Sequence, residues 1–295
     1  MTMTPERVLE HLNAQLQYGI TEVMIQGGVN PSLPFEWYTE VLSLIKQQHP
    51  NMHIDFLSPE EVRGLEKLTG RDALDILGEL QAAGMDGLPG ASAEILVDEI
   101  RADVAPARIK TDDWFRIVDA AMRLGIYIPW TSMVFGLGET IEQRVDHLIA
   151  LRDQQDKDLA RGGAGFGAYK VWPMRLDDTR LSGVIKNPDD ATVIDQYLQQ
   201  VAIHRLALDN IDNHRTVWRT MGYETAAKAL NGGANDICGT GSINAVDSVL
   251  ETAGKEAPKV SQEVFDDVIG CIESAGFTPA RRSPRYELLE VFAAS

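Results

Sequence analysis

Cysteine is scarce in this sequence, and its scarcity excludes several kinds of site. The 295 residues contain two cysteines, Cys238 and Cys271, and six histidines at no ligand-like spacing. Two distant thiols cannot build a disulfide framework, and a zinc site or an iron–sulfur cluster needs more ligands held close together. We therefore predict no metal-binding residues within these 295 positions.

Basic residues and long apolar runs are also in short supply. The chain carries 27 Lys and Arg against 44 Asp and Glu, for a net charge of −17. A nucleic-acid surface needs a clustered basic face, so no nucleic-acid partner is expected. The sequence has no run of about 18 apolar residues and no apolar signal segment at its start. These features predict a cytoplasmic protein without a membrane partner.

The sequence does contain a repeated unit, in which a short apolar run meets a glycine-rich or polar loop and then a helix pattern. In one such unit, Val23 to Gln26 run into Gly27 and Gly28, and a helix pattern covers 35–48. This repetition is typical of a parallel β/α barrel, whose loops form one site at the carboxyl ends of the strands. We predict an α/β protein with the (β/α)8 TIM-type barrel fold.

Seven barrel strands can be assigned, and the first of the eight is missing. The chain begins with a helix signal at Thr4 and Pro5, where a complete barrel begins with a strand. The predicted strands cover residues 23–26, 53–57, 85–88, 127–135, 166–172, 215–220 and 236–238. With 44% hydrophobic residues, the chain is expected to form a single domain, 1–295, with 255–295 as a C-terminal extension packed on it.

Helix signals support these units. Ser58 and Pro59 start a helix with Glu61 at the capping-box position, and Thr140 caps a helix predicted at 141–155. Further helices are predicted at 73–83, 95–101, 112–124, 192–210, 224–231 and 262–275, with an excursion at 176–190 and a last strand at 286–291.

Two acidic residues, Glu94 and Glu139, follow predicted strands by a few residues, where a barrel places functional side chains. An equally good interpretation is that each is a first-turn helix acid that complements the helix dipole. Gly27, Gly28 and Gly136 permit a ligand to approach the backbone closely, but glycines also relieve strain in turns. The residues alone leave both interpretations open.

Aromatic residues cluster in or beside the strands at 127–135, 166–172 and 215–220. Trp130, Tyr169, Trp172 and Trp218 belong to the core or stack on a planar ligand. Asp236, at the start of the last predicted barrel strand, faces the site or caps the strand. No Ser/His/Asp or Cys/His arrangement can be argued, so hydrolysis by a covalent nucleophile is not expected.

Seven motifs occur in order along almost the whole chain. They are Gln26 to Gly28 with Asn30 and Pro31, Phe56 to Glu60, Gly90 to Leu96 with Arg101, Phe135 to Thr140 with Arg144 and His147, Leu151 to Gln155, Leu208 to Ile211, and Gly233 to Asp236. Together they resemble the motifs of the radical S-adenosylmethionine (SAM) enzymes of the futalosine route to menaquinone. The resemblance implies cyclisation of dehypoxanthine futalosine, or the related reaction of an aminofutalosine synthase or a deazaflavin-cofactor synthase subunit.

The resemblance also implies what the site binds. Family members hold SAM and a [4Fe-4S] cluster at the carboxyl-end rim, and a 5′-deoxyadenosyl radical abstracts hydrogen from the substrate. The implied partners are a small nucleoside-derived substrate and an electron donor. The resemblance implies that Gln26, Gly27 and Gly28 contact the methionine amino group of SAM. It implies that Gly90 and Glu94 contact the carboxylate or ribose, and that Gly136 and Glu139 contact the adenine. Positions implied to contact the substrate are Ser58, Thr131, Tyr169, Trp218 and Asp236.

One departure from the family concerns the cluster ligands. The family carries a cysteine triplet, spaced C-x3-C-x2-C, in the loop after the first strand, and this sequence has neither that strand nor that loop. Three interpretations follow: a shortened form of the enzyme, a binding barrel without radical chemistry, or a lyase that uses Glu94 or Glu139 as an acid/base group. The first is preferred, and it predicts that these 295 residues alone do not cleave SAM.

Overall fold

The computed structural model of the chain describes residues 2–174, 190–237 and 262–292. Its helices are α1 (Pro5–Gln15), α2 (Phe35–Gln48), α3 (Pro59–Thr69), α4 (Ala73–Ala83), α5 (Asp98–Val104), α6 (Thr111–Arg123), α7 (Ile141–Ala160), α8 (Asp190–Ala207), α9 (Trp218–Met221), α10 (Tyr223–Asn231) and α11 (Gln262–Ser274). Its strands are β1 (Glu22–Ile25), β2 (His53–Phe56), β3 (Thr131–Phe135), β4 (Tyr169–Pro173), β5 (His214–Thr216), β6 (Asp236–Ile237), β7 (Ala280–Arg282) and β8 (Leu288–Val291). Cys238 and the predicted excursion, except for its last residue, lie outside the described residues.

The strands β1 to β6 are parallel and follow one another in chain order. β1 pairs with β2, and β3, β4, β5 and β6 form a second sheet in that order. Single parallel bridges from Asp55 to Gly87 and from Gly87 to Tyr127 connect the two sheets. Six of the seven predicted strands overlap one of these strands, and the seventh, at 85–88, forms only the bridges at Gly87. Within the described ranges no pairing joins β6 back to β1, so closure into an eightfold barrel stays a prediction.

Helices cover one face of this curved sheet. Phe56 of β2 is fully buried and packs edge-on against Tyr38 of α2, with ring centroids 6.2 Å apart. Side chains alternate along a strand, so Asp55 points to the opposite side, which we call the inner face. On the inner face Lys170, Arg215 and Asp236 stand side by side, because each is paired in register with the next.

Local signals start the helices where the sequence predicts. The Ser58 hydroxyl accepts a hydrogen bond from the Glu61 amide, with Pro59 at the first helical position of α3. Thr140 and Gln143 form a full capping box at the start of α7. Both helices bury polar as well as apolar residues, such as Glu61 and Leu65 in α3 and His147 and Leu151 in α7.

Two predicted helix boundaries are corrected by tertiary contacts. The helix predicted at 95–101 begins only at Asp98, because the Leu96 amide donates to His147 Nδ1 (2.9 Å) and holds the preceding residues out of the helix. The helix predicted at 141–155 continues to Ala160. Its polar last turns are stabilised by contacts with α6, such as the 3.0 Å ion pair of Lys157 with Asp119.

Two predicted strands are also shorter than expected. β5 ends at Thr216 and Trp218 begins the short helix α9, because the Tyr197 hydroxyl takes the Val217 amide (3.2 Å) that would otherwise extend the ladder. The strand predicted at 286–291 begins at Leu288 and pairs antiparallel with β7. It is therefore one arm of a hairpin and no part of the parallel sheet.

The C-terminal elements pack on the rest of the chain at two places. α11 lies against α10, where Cys271 Sγ contacts the Tyr223 carbonyl (3.3 Å) and Asn231 donates to the Ala275 carbonyl (3.1 Å). The β7–β8 hairpin instead reaches the inner face, where Arg282 contacts Asp236 (2.8 Å). None of the described helices combines the length and apolar composition that crossing a membrane requires.

Candidate functional site

The glycine turn after β1, residues Gln26 to Gly28, is exposed at the carboxyl end of the sheet. Its amides are occupied: Gly27 N and Gly28 N donate to the same oxygen, Glu61 Oε1, at 2.9 and 2.8 Å. The Gln26 side chain donates to the Leu57 carbonyl (3.0 Å). Gly28 has φ +75°, which a residue with a side chain rarely adopts.

The carbonyl oxygens of this turn remain available. Within the described ranges, no donor reaches the carbonyl of Gln26, Gly27 or Gly28. Backbone carbonyls accept hydrogen bonds and cannot donate them. The turn is thus suited to a ligand group that only donates, such as an ammonium.

A cavity of about 370 Å³ lies at the carboxyl ends of β3 and β4. Its walls combine two indole rings with a few polar groups, and the lining residues are Ala91, Ser92, Glu94, Trp130, Ser132, Val134, Trp172, Pro173, Met174 and Thr220. The volume lies within the range of pockets that hold a small organic ligand. Two aromatic walls favour a ligand with a planar ring.

Glu94 brings a partly satisfied carboxylate to this cavity. Its Oε2 is buried and accepts no hydrogen bond from the described residues, although Arg101 Nη1 lies 3.6 Å away. Its Oε1 is 3.7 Å from Arg108 Nη2. The backbone is strained here, with φ +35° at Glu94 and +60° at Ser92. A strained, unsatisfied acceptor in a cavity is a good candidate for binding ligand hydroxyl or amino groups.

Arg101 and His147 hold this strained segment in place. The buried Arg101 guanidinium donates to the carbonyls of Ala93 (2.7 Å) and Ile109 (2.9 Å). Burial, only partly offset by Glu94, lowers the Arg101 pKa. Burial and the nearby Arg101 charge lower the His147 pKa to about 3, so its ring is neutral and its Nδ1 accepts from the Leu96 amide.

Glu139 stabilises its own loop. Its carboxylate accepts from the amides of Gly136 (2.9 Å) and Leu137 (2.6 Å), and Arg144 Nε donates to it at 2.8 Å. The side chain has no exposed surface, and it precedes the helix cap Thr140. Glu139 therefore orders the Gly136 loop from within, and a ligand would meet the backbone of that loop.

Close packing against β3 explains why residue 90 is a glycine. A Cβ atom at this position would lie 2.6 Å from the Trp130 carbonyl, to which the Gly90 amide donates a hydrogen bond of 2.8 Å. Glycine is thus required where this segment approaches β3. The approach sets the position of Ser92 and Glu94, which follow it.

The five residues implied for the substrate lie outside the lining of the cavity. Ser58 donates to Glu61 Oε2 (2.6 Å), and Trp218 stacks on Tyr223 with centroids 4.7 Å apart. Tyr169 bonds His204 of α8 (2.9 Å), on the helix side of the sheet. Thr131 is paired in register with Tyr169 and so shares that side.

Sequence reasoning missed Ser132 and Thr220, which line the cavity, but it offered Trp130 and Trp172 as rings that belong to the core or stack on a planar ligand, and both line the cavity. The available signal was alternation, because Ser132 neighbours Thr131 and points the other way. Lys170 lies between the two indoles, with Nζ 3.4 Å from the Trp130 ring centroid and 4.4 Å from that of Trp172. It places a cation on the inner face beside the cavity.

Asp236 belongs to a second polar group, near the amino ends of the strands. We call this group the amino-end cluster; its members are Glu22, Asp55, Arg215, Asp236, Arg282 and Tyr286. Asp236 Oδ2 lies 2.9 Å from Arg215 Nε and 2.7 Å from the Tyr286 hydroxyl. Burial opposes its ionisation, but the adjacent Arg282 and Arg215 lower the Asp236 pKa overall.

Comparison with known proteins places the chain among radical SAM enzymes. Residues 1–151 match the radical SAM superfamily, and residues 163–294 match the CofH/MqnC C-terminal region. Cyclic dehypoxanthine futalosine synthase of Halalkalibacterium halodurans is 34% identical over 97% of this chain and 73% of that protein.

Two further relatives extend this picture. The 5-amino-6-(D-ribitylamino)uracil–L-tyrosine 4-hydroxyphenyl transferase of Methanopyrus kandleri is 33% identical over 98% of this chain and 76% of that protein. The crystal structure of methylornithine synthase superposes with a TM-score of 0.67 at 15% identity, covering 95% of this chain and 75% of that one. This last likeness shows a TIM-barrel-like α/β fold.

Proposed function

The chain belongs to the radical SAM superfamily of enzymes, and on this premise we propose that it binds and orients SAM at the glycine turn and dehypoxanthine futalosine in the cavity at the carboxyl ends of β3 and β4, the two ligands of the reaction that forms cyclic dehypoxanthine futalosine. The assignment to an enzyme superfamily favours this proposal over a non-catalytic barrel or a lyase. The name of the Halalkalibacterium relative supports the choice of substrate.

The observation that carries the proposal is the set of open carbonyls at Gln26 to Gly28. The methionine part of SAM ends in an ammonium group, which only donates hydrogen bonds. The turn offers acceptors while Glu61 occupies its donors. The unsatisfied Glu94 Oε2 provides a further acceptor for ligand hydroxyl or amino groups.

The cavity supports a substrate with planar rings and hydroxyl groups. Trp130 and Trp172 provide faces for stacking, and Ser132 and Thr220 provide hydroxyl groups that donate and accept. In this family the chemistry that bound SAM supplies is hydrogen abstraction from the substrate. The role of these residues is to hold the two ligands in a fixed orientation and to exclude water.

An iron–sulfur cluster does not fit the residues of this chain. A cluster of this type needs three thiolates held close together, and the 295 residues contain two cysteines. Cys271 lies on α11 with its Sγ against the Tyr223 carbonyl, and burial raises its pKa. Among the described residues, no group of His, Cys, Asp and Glu is placed to hold a metal ion. The proposed role is therefore binding and orientation.

Calorimetric titration with SAM tests the cofactor part of the proposal. SAM should bind, and 5′-methylthioadenosine should bind about tenfold or more weakly, because it lacks the ammonium and carboxylate groups. Equal affinity for the two ligands, or no binding of SAM, would contradict binding at the glycine turn.

Titration with dehypoxanthine futalosine tests the substrate part. Replacing Trp172 with Leu should weaken binding roughly tenfold, since a stacked ring contributes about 1–3 kcal/mol. Trp37→Phe is the matched control, because Trp37 lies on α2 with its indole bonded to the Met3 carbonyl. Equal losses in the two variants would point to a general effect on folding and against stacking in the cavity.

A further inference from the structure

Glu61 contacts the glycine turn from the first turn of α3. Its position predicts a capping box, in which the carboxylate returns to the Ser58 amide. The structure shows a different contact: Oε1 accepts from Gly27 N (2.9 Å) and Gly28 N (2.8 Å), while Oε2 accepts from the Ser58 hydroxyl (2.6 Å). The residue is 5% exposed, so these bonds form away from water.

We propose that Glu61 is a positioning residue for SAM: by holding the amides of Gly27 and Gly28, it turns the carbonyls of Gln26 and Gly27 outward to receive the ammonium group. The inference rests on the proposed function, because it assumes that SAM binds at this turn. The inference adds to the proposed site a residue, Glu61, that does not touch SAM and that acts on its binding through the backbone of the turn.

The peptide geometry carries the argument. The N–H of Gly27 and the C=O of Gln26 belong to one trans peptide unit, in which they point in opposite directions. The same holds for the N–H of Gly28 and the C=O of Gly27. Since both N–H groups point at Glu61 Oε1, both carbonyls must point away from it. One carboxylate oxygen therefore sets the direction of two acceptors.

A second contact shows that α3 and the turn are fitted to each other. A Cβ atom on Gly64 of α3 would lie 2.5 Å from Val29 Cγ2, the residue that follows the glycine pair. Glycine at 64 lets the helix approach the turn closely enough for Glu61 to reach both amides. Gly28 has φ +75°, a conformation that glycine adopts without strain, so the turn itself does not resist this approach.

Four variants separate positioning from simple stabilisation. Glu61→Ala removes the acceptor, and Glu61→Asp keeps the charge but is too short to reach both amides. Glu61→Gln keeps an oxygen in place for both amides without the charge. Glu40→Ala, on the exposed side of α2, is the matched control.

Two readouts are measured on each folded variant: hydrogen exchange at the Gly27 and Gly28 amides without ligand, and the SAM dissociation constant by calorimetry. We expect faster exchange and about tenfold or weaker SAM binding for the Ala and Asp variants, near wild-type values for Gln, and no change for the control. If Glu61→Ala does not fold, the Asp and Gln pair decides the question.

Three results would overturn the inference and can be told apart. If the wild type binds SAM and the Ala and Asp variants bind it equally well, Glu61 does not position the turn, and the proposed function stands. If the wild type does not bind SAM, the proposed function fails and this inference fails with it. Loss of binding in Gln with retention in Asp would show that charge matters and geometry does not, which also contradicts the inference.

Discussion

The two ends of the parallel strands are both polar, but they use their polar groups differently. In the amino-end cluster, the Asp236 carboxylate forms ion pairs with Arg215 and Arg282 and accepts a hydrogen bond from the Tyr286 hydroxyl. At the carboxyl-end rim, the amides of the glycine turn are bonded to Glu61, while the turn's carbonyls and Glu94 Oε2 receive no bond from the described residues. Asp55 Oδ2 in the amino-end cluster also receives no bond from the described residues, so the cavity beside Glu94, and not an open acceptor by itself, indicates where a ligand belongs.

The difference also concerns which part of the chain completes each end. The amino-end cluster is completed by the β7–β8 hairpin, which brings Arg282 and Tyr286 from far along the sequence. The rim is built from loops that directly follow the strands. The first arrangement stabilises the fold, and the second leaves space for binding.

Breaking the amino-end cluster should have the largest effect. Asp236→Ala would leave Arg215 and Arg282 buried without their carboxylate, which typically costs about 3–5 kcal/mol of unfolding free energy. Urea denaturation of the variant measures this loss. Glu290→Ala, which removes only an exposed partner of Arg281 in the same hairpin, should change stability by less than about 1 kcal/mol. Similar losses in both variants would show that the cluster has no special role.

The same cluster should make stability depend on pH. Burial and the nearby Asp55 raise the pKa of Glu22 from 4.5 to about 7, against the opposing effect of Arg215 and Arg282. The folded state therefore keeps a proton that the unfolded chain loses. The Glu22 contribution should be most favourable below pH 4.5 and should fall as the pH rises to about 7.

This contribution is isolated by comparing wild type with Glu22→Gln. Burial lowers the pKa of His147, His204 and His214, and these groups make stability rise with pH up to their ordinary value of 6.5. Both proteins share that slope, so the difference between them reports Glu22. We expect the wild type to lose about 1–3 kcal/mol relative to the variant between pH 4.5 and 7. A difference independent of pH would mean that Glu22 is ionised throughout.

At the rim, a smaller effect on stability is expected than in the amino-end cluster. Glu94→Gln removes the charge from the open acceptor and should weaken SAM binding about tenfold, near 1.4 kcal/mol. Stability should fall by about 1 kcal/mol or less, because the Glu94 charge only partly offsets the burial of Arg101, whose Nη1 lies 3.6 Å away. Glu99→Gln, on the exposed part of α5, is the control. A large loss of stability in Glu94→Gln would mean that the contacts of Glu94 stabilise the fold as strongly as those of the amino-end cluster.

The last prediction is that this chain shows no measurable cleavage of SAM. Adding iron, sulfide and a reductant under anaerobic conditions should produce no 5′-deoxyadenosine from SAM, since this chain has two cysteines. High-performance liquid chromatography of the reaction detects the product. A signal above that of the Cys238→Ala/Cys271→Ala double variant would contradict the prediction.

Much of the fold could be predicted because its signals are local. The Ser58 cap, the Thr140 cap and the alternation of apolar runs with helices depend on residues only a few positions apart. The position of Gly27 and Gly28 after a strand was enough to predict an exposed turn at the carboxyl end. The low cysteine count underlies the expectation that this chain holds no metal ligand, which stays a prediction.

The site itself was harder to predict, because its contacts join residues distant in sequence. Ser132, and not Thr131, lines the cavity, and a one-residue difference in strand phase decides which side a residue faces. Asp236 sits at the start of β6, where only the position of the distant hairpin reveals its partners. Glu61 matched a capping box in sequence but bonds a turn more than 30 positions away.

The sequence by itself determined the order of strands and helices, the exposed glycine turn, the family motifs and the lack of cluster ligands. These follow from residue type, local spacing and counting. Only the tertiary structure decided that Glu61 holds the turn, that Glu94 keeps an open oxygen, and that Asp236 is closed off by the hairpin. Those outcomes depend on which side of the sheet each side chain faces and on what the folded chain brings beside it.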